Sequence, residues 1–113
     1  MTYRLSDVYT AIADPHRREM LDLINNQQLN VGEIAGHFDM SRTAVDKHLR
    51  VLIETNLIVV KKVGRTRMHE LNPEPMKAVW DWMTPYSAFW NDRLQRLKNA
   101  VENAERNDSK ARR

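Results

Sequence analysis

The chain contains no cysteine and only three glycines among its 113 residues. The missing cysteines exclude disulfides, thiolate metal sites and cysteine nucleophiles, and with them several enzyme classes and one large class of sensors. Gly32, Gly36 and Gly64 leave no glycine-rich phosphate loop. The G-x-S-x-G and H-E-x-x-H motifs are absent as well. The sequence therefore predicts that this protein is not an enzyme.

Long apolar runs are also missing. No stretch approaches the roughly 20 apolar residues of a membrane-spanning helix, and no signal-peptide pattern opens the chain. We therefore expect a cytoplasmic protein with no membrane partner. With 42% hydrophobic and 29% charged residues, the composition is that of one ordinary globular domain. We predict that this domain spans residues 1–106 and that residues 107–113 form a disordered basic tail.

Positive charge is concentrated in one quarter of the chain. The segment 41–67 holds seven basic residues against two acidic ones, a net charge of +5, whereas the whole chain carries +3. The remaining residues therefore sum to −2. A cationic segment suits a polyanion, so the predicted partner is double-stranded DNA. The seven basic residues are Arg42, Lys47, Arg50, Lys61, Lys62, Arg65 and Arg67.

Apolar residues recur at helical spacing in four short segments before Thr55. Asp14-Pro15 is an N-cap followed by proline at the first helical position, and it marks the start of the second segment. Asn30 and Glu33 form the pattern of a capping box, which starts the third segment. Ser41 caps the fourth, which runs to about Thr55. The apolar residues of the first segment are Leu5, Val8, Tyr9 and Ile12.

The periodicity changes after residue 56. Leu57 to Val63 is β-branched and apolar, Gly64-Arg65 is a turn, and Thr66 to Leu71 returns as a second strand. Prolines at 73 and 75 end this hairpin, and a helical pattern then runs from residue 76 to about 105. Within it Pro85 imposes either a kink or a restart that Thr84 would cap. Helix, turn, helix and charged hairpin predict a mainly α winged helix-turn-helix fold with a small β-hairpin wing and about five helices.

The fourth helix carries the candidate DNA-reading residues. Val45, Leu49 and Leu52 fall at i, i+4 and i+7 and therefore face the core. Arginine and lysine can donate to guanine, and hydroxyl groups suit phosphates or base edges. We predict base-edge contacts near the N-terminus of this helix and a DNA backbone contact for Arg50. The base-edge candidates are Ser41, Arg42, Thr43, Asp46 and Lys47.

Two interpretations stay open on this helix. The i, i+4 spacing of Arg42, Asp46 and Arg50 is also typical of a solvated ion-pair stripe. The combination with the preceding helix and the basic hairpin favours DNA reading. His48 is either a phosphate contact or a partly buried, hydrogen-bonded residue, and the sequence favours neither.

The hairpin brings four basic residues together around a glycine turn. Such a tip suits phosphate or minor-groove contact, with an affinity that falls steeply with salt. Lysines at a strand edge can instead serve only to keep the edge soluble. We favour the DNA contact. The four residues are Lys61, Lys62, Arg65 and Arg67.

Several of these stretches together resemble the ArsR-type winged-helix repressors of bacteria. They are AIADPHRR at 11–18, VGEIA at 31–35, SRTAVDKHLRVL at 41–52, VGR at 63–65 and LNPEP at 71–75. The resemblance covers roughly Ser6 to Val101. It implies a homodimeric repressor whose helices bind successive major grooves of an inverted repeat. It also implies that an inducer changes the affinity for the operator.

The sequence departs from this family at its metal-binding positions. The cysteine pair that arsenic sensors carry on the third helix is replaced around Asn30-Val31-Gly32, and no histidine lies beyond His69 to match the zinc ligands of the last helix. Asp81 and Asp92 remain, but carboxylates without imidazole make a poor transition-metal site. We therefore predict no metal site and no cofactor. Asp39 stands where relatives usually have glycine, and aspartate tolerates a left-handed turn conformation.

The last helix carries an aromatic stripe, since five of the eight aromatic residues lie between Trp80 and Trp90. Such a stripe is best buried against a second subunit, with the first helix as its neighbour, as the resemblance also suggests. A hydrophobic small-molecule inducer between the aromatics is the alternative. A winged helix used only for protein assembly is a weaker alternative, because such a protein would not need the seven basic residues of the segment 41–67. The predicted interface residues are Leu5, Val8, Tyr9, Ile12, Trp80, Met83, Tyr86, Trp90, Leu94 and Leu97.

Overall fold

Five helices and one antiparallel hairpin form the part of the chain that the computed structural model describes, residues 7–111, with side chains through residue 108. This order confirms the predicted mainly helical fold with a small hairpin wing. The elements are α1 (Val8–Ala13), α2 (Pro15–Ile24), α3 (Val31–Ala35), α4 (Arg42–Glu54), β1 (Ile58–Val63), β2 (Thr66–Leu71) and α5 (Met76–Ala111). Leu5, which we placed in the first helix and in the dimer interface, lies outside the described residues.

Side-chain caps fix where the helices begin. Asp14 accepts hydrogen bonds from the backbone N–H groups of His16 (2.8 Å) and Arg17 (3.2 Å), with Pro15 in the first turn of α2. Asn30 and Glu33 form the predicted capping box, with reciprocal bonds of 2.8 and 3.0 Å. The Ser41 hydroxyl caps α4 by accepting from the backbone of Ala44 at 3.1 Å. These bonds satisfy N–H groups that have no partner inside the helix, and all three predicted starts are confirmed.

The chain divides after Val79 into two compact units. The first contains α1 to α4, the hairpin and the start of α5, and its core is built from apolar residues of α1, α2, α3, α4 and β1. The second is the rest of α5. No helix among the described residues is long and apolar enough to span a membrane. The buried core residues are Ala11, Met20, Ile24, Leu29, Ile34, Val45, Leu49, Leu52, Leu57 and Ile58.

The base of the hairpin is attached to the core through Leu29. The two strands pair from Ile58 with Leu71 to Val63 with Thr66, and Gly64 turns the chain with a φ of 64°. Leu29 forms a single bridge to His69, with backbone bonds of 3.2 and 2.7 Å. The buried His69 ring adds a hydrogen bond from Nδ1 to the Leu29 carbonyl at 3.1 Å. Because a carbonyl only accepts, Nδ1 carries the hydrogen.

The buried ring predicts a pH-dependent stability. Burial lowers the pKa of His69 below its ordinary 6.5, the hydrogen bond to Leu29 opposes this, and the charge of Arg67 lowers it further. Neutral His69 therefore contributes stability that is complete above pH 6.5 and is lost as the pH falls through 6.5 towards the folded-state pKa. His69→Gln does not titrate and keeps an N–H donor. In urea unfolding, the stability of the wild type relative to this variant should fall from about pH 7.5 to about pH 5.5. Parallel pH profiles would contradict this.

Helix α5 runs further and more continuously than the sequence predicted. It continues through Pro85, so the restart capped by Thr84 was wrong. The Thr84 hydroxyl instead donates to the Trp80 carbonyl at 2.8 Å, and the Ser87 hydroxyl donates to the Thr84 carbonyl at 2.7 Å. The helix also extends to Ala111, past the predicted boundary at 106 and into the segment 107–113 that was expected to be disordered. Residues 107–111 contain neither proline nor glycine, so no residue there breaks the helix.

Candidate nucleic-acid interface

The two helices of the helix-turn-helix unit are held by their apolar faces. Ile34 of α3 is fully buried, and Phe38 and Met40 of the connecting segment pack against the same core. Val45, Leu49 and Leu52 bury one side of α4, as predicted. Asp39 does not need the left-handed conformation that its position suggested. Among the described non-glycine residues, only Asn56 has a positive φ, at 63°.

The opposite side of α4 is exposed over its N-terminal half. All five base-edge candidates and Arg50 lie on this surface. The Arg42 Nε and Asp46 Oδ1 atoms are 3.4 Å apart, so these two residues form the i, i+4 ion pair that was the alternative interpretation. An exposed pair of this kind contributes a few tenths of a kcal/mol. Lys47 forms no ion pair within the described part of the chain.

The wing presents its basic residues unequally. Lys62 pairs across the hairpin with Arg67, and Arg65 follows the glycine of the turn. All three are exposed, and none of them forms an ion pair with another described residue. Lys61 differs, because its Nζ lies 2.8 Å from Glu70 Oε2 on β2. This partial neutralisation of Lys61 was not predicted, because the contact with Glu70 depends on the register of the two strands.

A cleft of about 400 Å³ lies between α4 and the wing. Arg50 and Asp46 line it from the helix, and Arg67 lines it from β2. Apolar side chains, including Leu49 and Val60, line it as well. The fold therefore brings cations from two separated sequence segments to the two walls of one cleft.

His48 contacts α2 rather than standing free on the exposed face. Its Nδ1 lies 3.2 Å from Arg17 Nη1, and its half-buried ring stacks on that of His16 with centroids 5.7 Å apart. This geometry corresponds to the partly buried, hydrogen-bonded alternative for His48. Arg17 was not singled out from the sequence, because apolar periodicity carries no signal for a polar contact between residues 31 positions apart.

One group of described residues has the composition of a metal site. Asp14, His16 and His48 each offer a ligand atom within 4.8 Å of the other two. Two of these residues already have other partners. Asp14 Oδ1 accepts two backbone hydrogen bonds, and the guanidinium of Arg17 lies beside His48 Nδ1. The positive charge of that guanidinium opposes a bound cation. The arrangement therefore suits a hydrogen-bonded network better than a metal ion.

An anchored helix with an exposed, partly basic face, followed by a basic hairpin, defines a DNA-binding regulator of the winged helix-turn-helix class. Residues 14–59 match the family model described as bacterial regulatory protein, arsR family. The chain belongs to the ArsR family. Members of this family are transcription regulators, which confirms the prediction that the protein is not an enzyme.

Known relatives cover most of the chain. The transcriptional repressor SdpR of Bacillus subtilis is 32% identical over 79 residues, which are 70% of this chain and 88% of that protein. An arsenical resistance operon repressor of Staphylococcus xylosus is 32% identical over 75 residues, which are 66% of this chain and 72% of that protein. A crystal structure of an ArsR family transcriptional regulator matches 74% of this chain and 86% of that chain, with 32% identity and a TM-score of 0.63.

Proposed function

We propose that this protein is a homodimeric transcriptional repressor that binds an inverted-repeat operator and that does not respond to metals. The observation that carries the proposal is the exposed N-terminal half of α4 beside the basic wing, with the opposite face of α4 buried. In a winged helix this half enters the major groove first. Two subunits related by two-fold symmetry would then read two half-sites about one helical turn of DNA apart.

The contacts divide into base reading and DNA-backbone binding. On α4 we assign Ser41, Arg42, Thr43, Asp46 and Lys47 to base edges, where each good bidentate contact gives roughly 1–3 kcal/mol of discrimination. Arg50, Lys61, Lys62, Arg65 and Arg67 are assigned to phosphates, with Lys61 weakened by its pairing to Glu70. His48 is left out of the direct contacts because its Nδ1 already faces Arg17.

The dimer interface is assigned to the apolar stripe of α5. Trp80, Trp90, Leu94 and Leu97 are between 59% and 70% exposed in the single chain, although such side chains are usually buried. Met83 and Tyr86 share the helical spacing and the exposure.

We expect α1 to contribute less to the proposed interface than the sequence analysis suggested. Val8 and Ile12 already pack partly against the core of their own chain. Tyr9 is 45% exposed, and its hydroxyl donates to the carbonyl of Ala78 at 3.2 Å. We therefore expect Tyr9 to contribute more to the interface than either of its two apolar neighbours.

Repression and the absence of a metal response are separate parts of the proposal. The two relatives described above are both named repressors, which supports a repressor here. The chain has no cysteine and no histidine after residue 69, so it lacks the ligands that we associated with arsenic and zinc sensors of this family. We expect an excess of zinc or arsenite to leave the operator affinity unchanged.

A small hydrophobic inducer at α5 is the second candidate for the signal. Exposed aromatic rings of α5 lie close together in pairs, with 5.7 Å between the centroids of Trp82 and Tyr86 and between those of Phe89 and Trp90. Such rings would offer an apolar surface to a planar ligand. Quenching of tryptophan fluorescence by a metabolite that also weakens operator binding would support this candidate.

Selection from a library of random duplexes tests the proposed function. We expect the wild-type protein to enrich an inverted repeat with half-sites about 10 base pairs apart, because two α4 helices would enter successive major grooves. Enrichment of a single unpaired half-site would contradict the dimeric mode. A library that stays random after selection would contradict sequence-specific binding.

The wing predicts a change in salt dependence. Replacing Arg65 and Arg67 together by alanine should reduce the slope of log affinity against log salt by about 0.9 per lost phosphate contact. Glu70→Gln is a control in which the slope should change in the opposite direction. It removes the carboxylate beside Lys61, so the charge of Lys61 becomes available to a phosphate and the slope should become steeper. Both slopes are measured by fluorescence anisotropy of a labelled duplex. A slope that the double variant leaves unchanged would remove the wing from the contacts.

A further inference from the structure

We propose that Arg17 is a positioning residue for DNA binding, because its guanidinium ties the carboxyl end of α1 to His48 on α4 and so fixes how α4 presents its exposed face. This inference rests on the proposed function only in taking an operator duplex as the ligand. We call the three-way contact of Arg17 with α1 and His48 the Arg17 tie.

The guanidinium of Arg17 uses its three nitrogens on two helices. Nε donates to the carbonyl of Ala11 at 2.8 Å, and Nη2 donates to the carbonyl of Thr10 at 2.9 Å. Both carbonyls belong to the last four of α1, which have no partner inside the helix. Nη1 lies 3.2 Å from Nδ1 of His48. The half-buried side chain therefore connects the end of one helix to the middle of the other.

The contact with His48 fixes the protonation of that ring. A guanidinium only donates hydrogen bonds and keeps its charge at any physiological pH, so Nδ1 of His48 must accept. The tie therefore needs a neutral His48 that carries its hydrogen on Nε2. A second proton on the ring would place an N–H and a positive charge against the guanidinium, and the contact would break.

The surroundings of His48 on α2 contain two further ionisable groups, Asp14 and His16. The His16 ring is the one stacked on His48. Burial raises the pKa of Asp14, but hydrogen bonds from the backbone N–H groups of Arg17 and His16 and the charge of Arg17 outweigh it and hold that pKa below its ordinary value. The carboxylate therefore stays charged, and it fixes the first turn of α2, from which Arg17 extends.

The Arg17 tie restricts the rotation of α4 more tightly than the apolar core alone does. Val45, Leu49 and Leu52 hold α4 by one apolar stripe, and apolar contact is non-directional, so it tolerates small rotations and shifts. A hydrogen bond at the flank of the helix has a required distance and angle. Side chains that read a ligand need support of this kind to stay within about 0.5 Å of their working position. Lys47, next to His48, would move with any rotation of α4.

Arg18 offers a matched control at the next position. Its Nη1 donates to the carbonyls of Ile12 and Ala13 at 2.8 and 3.2 Å, the two remaining unpaired carbonyls of α1. The two arginines thus cap the same end of the same helix, but the hydrogen bonds of the Arg18 side chain go only to carbonyls of α1 among the described residues. Lysine has a single nitrogen and cannot span the three acceptors of Arg17. Arg17→Lys therefore loses the link to α4, whereas Arg18→Lys weakens only the α1 cap.

The test measures the affinity of each variant for the duplex enriched by the wild type, by fluorescence anisotropy at pH 8 and at pH 6. We expect Arg17→Lys to weaken binding about tenfold at pH 8, the effect of losing one charge-assisted hydrogen bond, and Arg18→Lys to weaken it less than twofold. His48→Leu should match Arg17→Lys. His48→Asn has an amide oxygen that can accept near the place of Nδ1, and it should restore binding.

The pH profile separates positioning from simple stability. A proton on Nδ1 of His48 removes the acceptor of the tie, so a loss of affinity at low pH that comes from the tie needs the imidazole ring and should be absent without it. His48→Asn does not titrate, and it should lose less affinity between the two pH values than the wild type loses.

Three results would overturn the tie. The first is an equal loss of affinity in Arg17→Lys and Arg18→Lys, and the second is one pH profile shared by the wild type and His48→Asn. The third is a coupling energy of zero between Arg17→Lys and His48→Leu in a double-mutant cycle of the free energy of unfolding in urea, which needs no DNA. We expect a coupling energy that differs from zero. If the protein enriches no duplex, the proposed function is contradicted. The unfolding cycle alone then tests whether the contact between Arg17 and His48 exists.

Discussion

Lys47→Ala is expected to lower the affinity for the selected operator by roughly 5- to 150-fold, which corresponds to the 1–3 kcal/mol of a good base contact. Lys47 is exposed on the N-terminal half of α4 and forms no ion pair with another described residue, so its ammonium is available to a base edge. The affinity for random DNA should fall only by the small factor that any single phosphate-contacting cation contributes. Anisotropy titrations with the two duplexes measure both values.

The control for this prediction is another exposed lysine. Lys62→Ala removes the same charge from the wing, and it should weaken binding to both duplexes by the same factor. Arg42→Ala should cost less specificity than Lys47→Ala, because Arg42 shares its charge with Asp46 at 3.4 Å. If Lys47→Ala weakens specific and random binding equally, Lys47 does not read bases.

Trp90→Asp is expected to convert the protein to monomers at micromolar concentrations. The side chain is 59% exposed in the single chain and lies in the apolar stripe of α5 with Leu94 and Leu97. In a dimer it would be buried, and an unpaired carboxylate there would cost several kcal/mol, a shift in the dissociation constant of at least about 100-fold. Light scattering coupled to size exclusion measures the mass directly.

Gln95→Asp is the matched control on the same helix. It introduces the same charge five residues further on, about 140° around the helix and away from the stripe. Gln95 is exposed, and its side-chain amide donates a hydrogen bond to Asn99 at 3.2 Å. We expect this variant to remain a dimer. A dimer that survives Trp90→Asp would contradict the proposed interface. If Gln95→Asp is monomeric as well, the loss of the dimer results from added charge on α5 and not from damage to its apolar stripe.

The parts of the fold that the sequence predicted are those set by neighbouring residues. Asp14, Asn30 and Ser41 cap helices through bonds to residues two or three positions ahead, so their patterns are visible in the sequence. Gly64 is likewise sufficient to place the hairpin turn, because its φ of 64° favours glycine. These signals are local, and the structure confirmed them.

The parts that the sequence did not predict depend on contacts between distant residues. Leu29 and His69 are 40 positions apart, and Arg17 and His48 are 31 apart. Periodicity identifies which face of a helix is apolar, but it does not say which polar groups meet when the helices pack. The ion pair between Lys61 and Glu70 was missed for the same reason, since it depends on the hairpin register.

The last helix shows a different limit of sequence reasoning. Proline normally disrupts a helix because it lacks an N–H and crowds the preceding turn, so either a kink or a restart at Pro85 was expected. The helix nevertheless continues, and the hydroxyls of Thr84 and Ser87 donate to the carbonyls of Trp80 and Thr84, which both precede the proline. Residues 107–111 are polar, and polarity suggested disorder. Their helical conformation follows from the absence of any residue that ends the helix.

The most direct test of the central claim is a competition titration with the duplex enriched by the wild type. The labelled duplex is titrated by anisotropy in the presence of an excess of unlabelled random DNA, with a scrambled duplex of equal length and composition in parallel. Base reading by α4 predicts that the enriched duplex stays bound while the scrambled duplex is displaced, because specific sites bind more tightly than random ones by at least about 1,000-fold. Equal displacement of both duplexes would contradict it and would leave only a non-specific cationic surface.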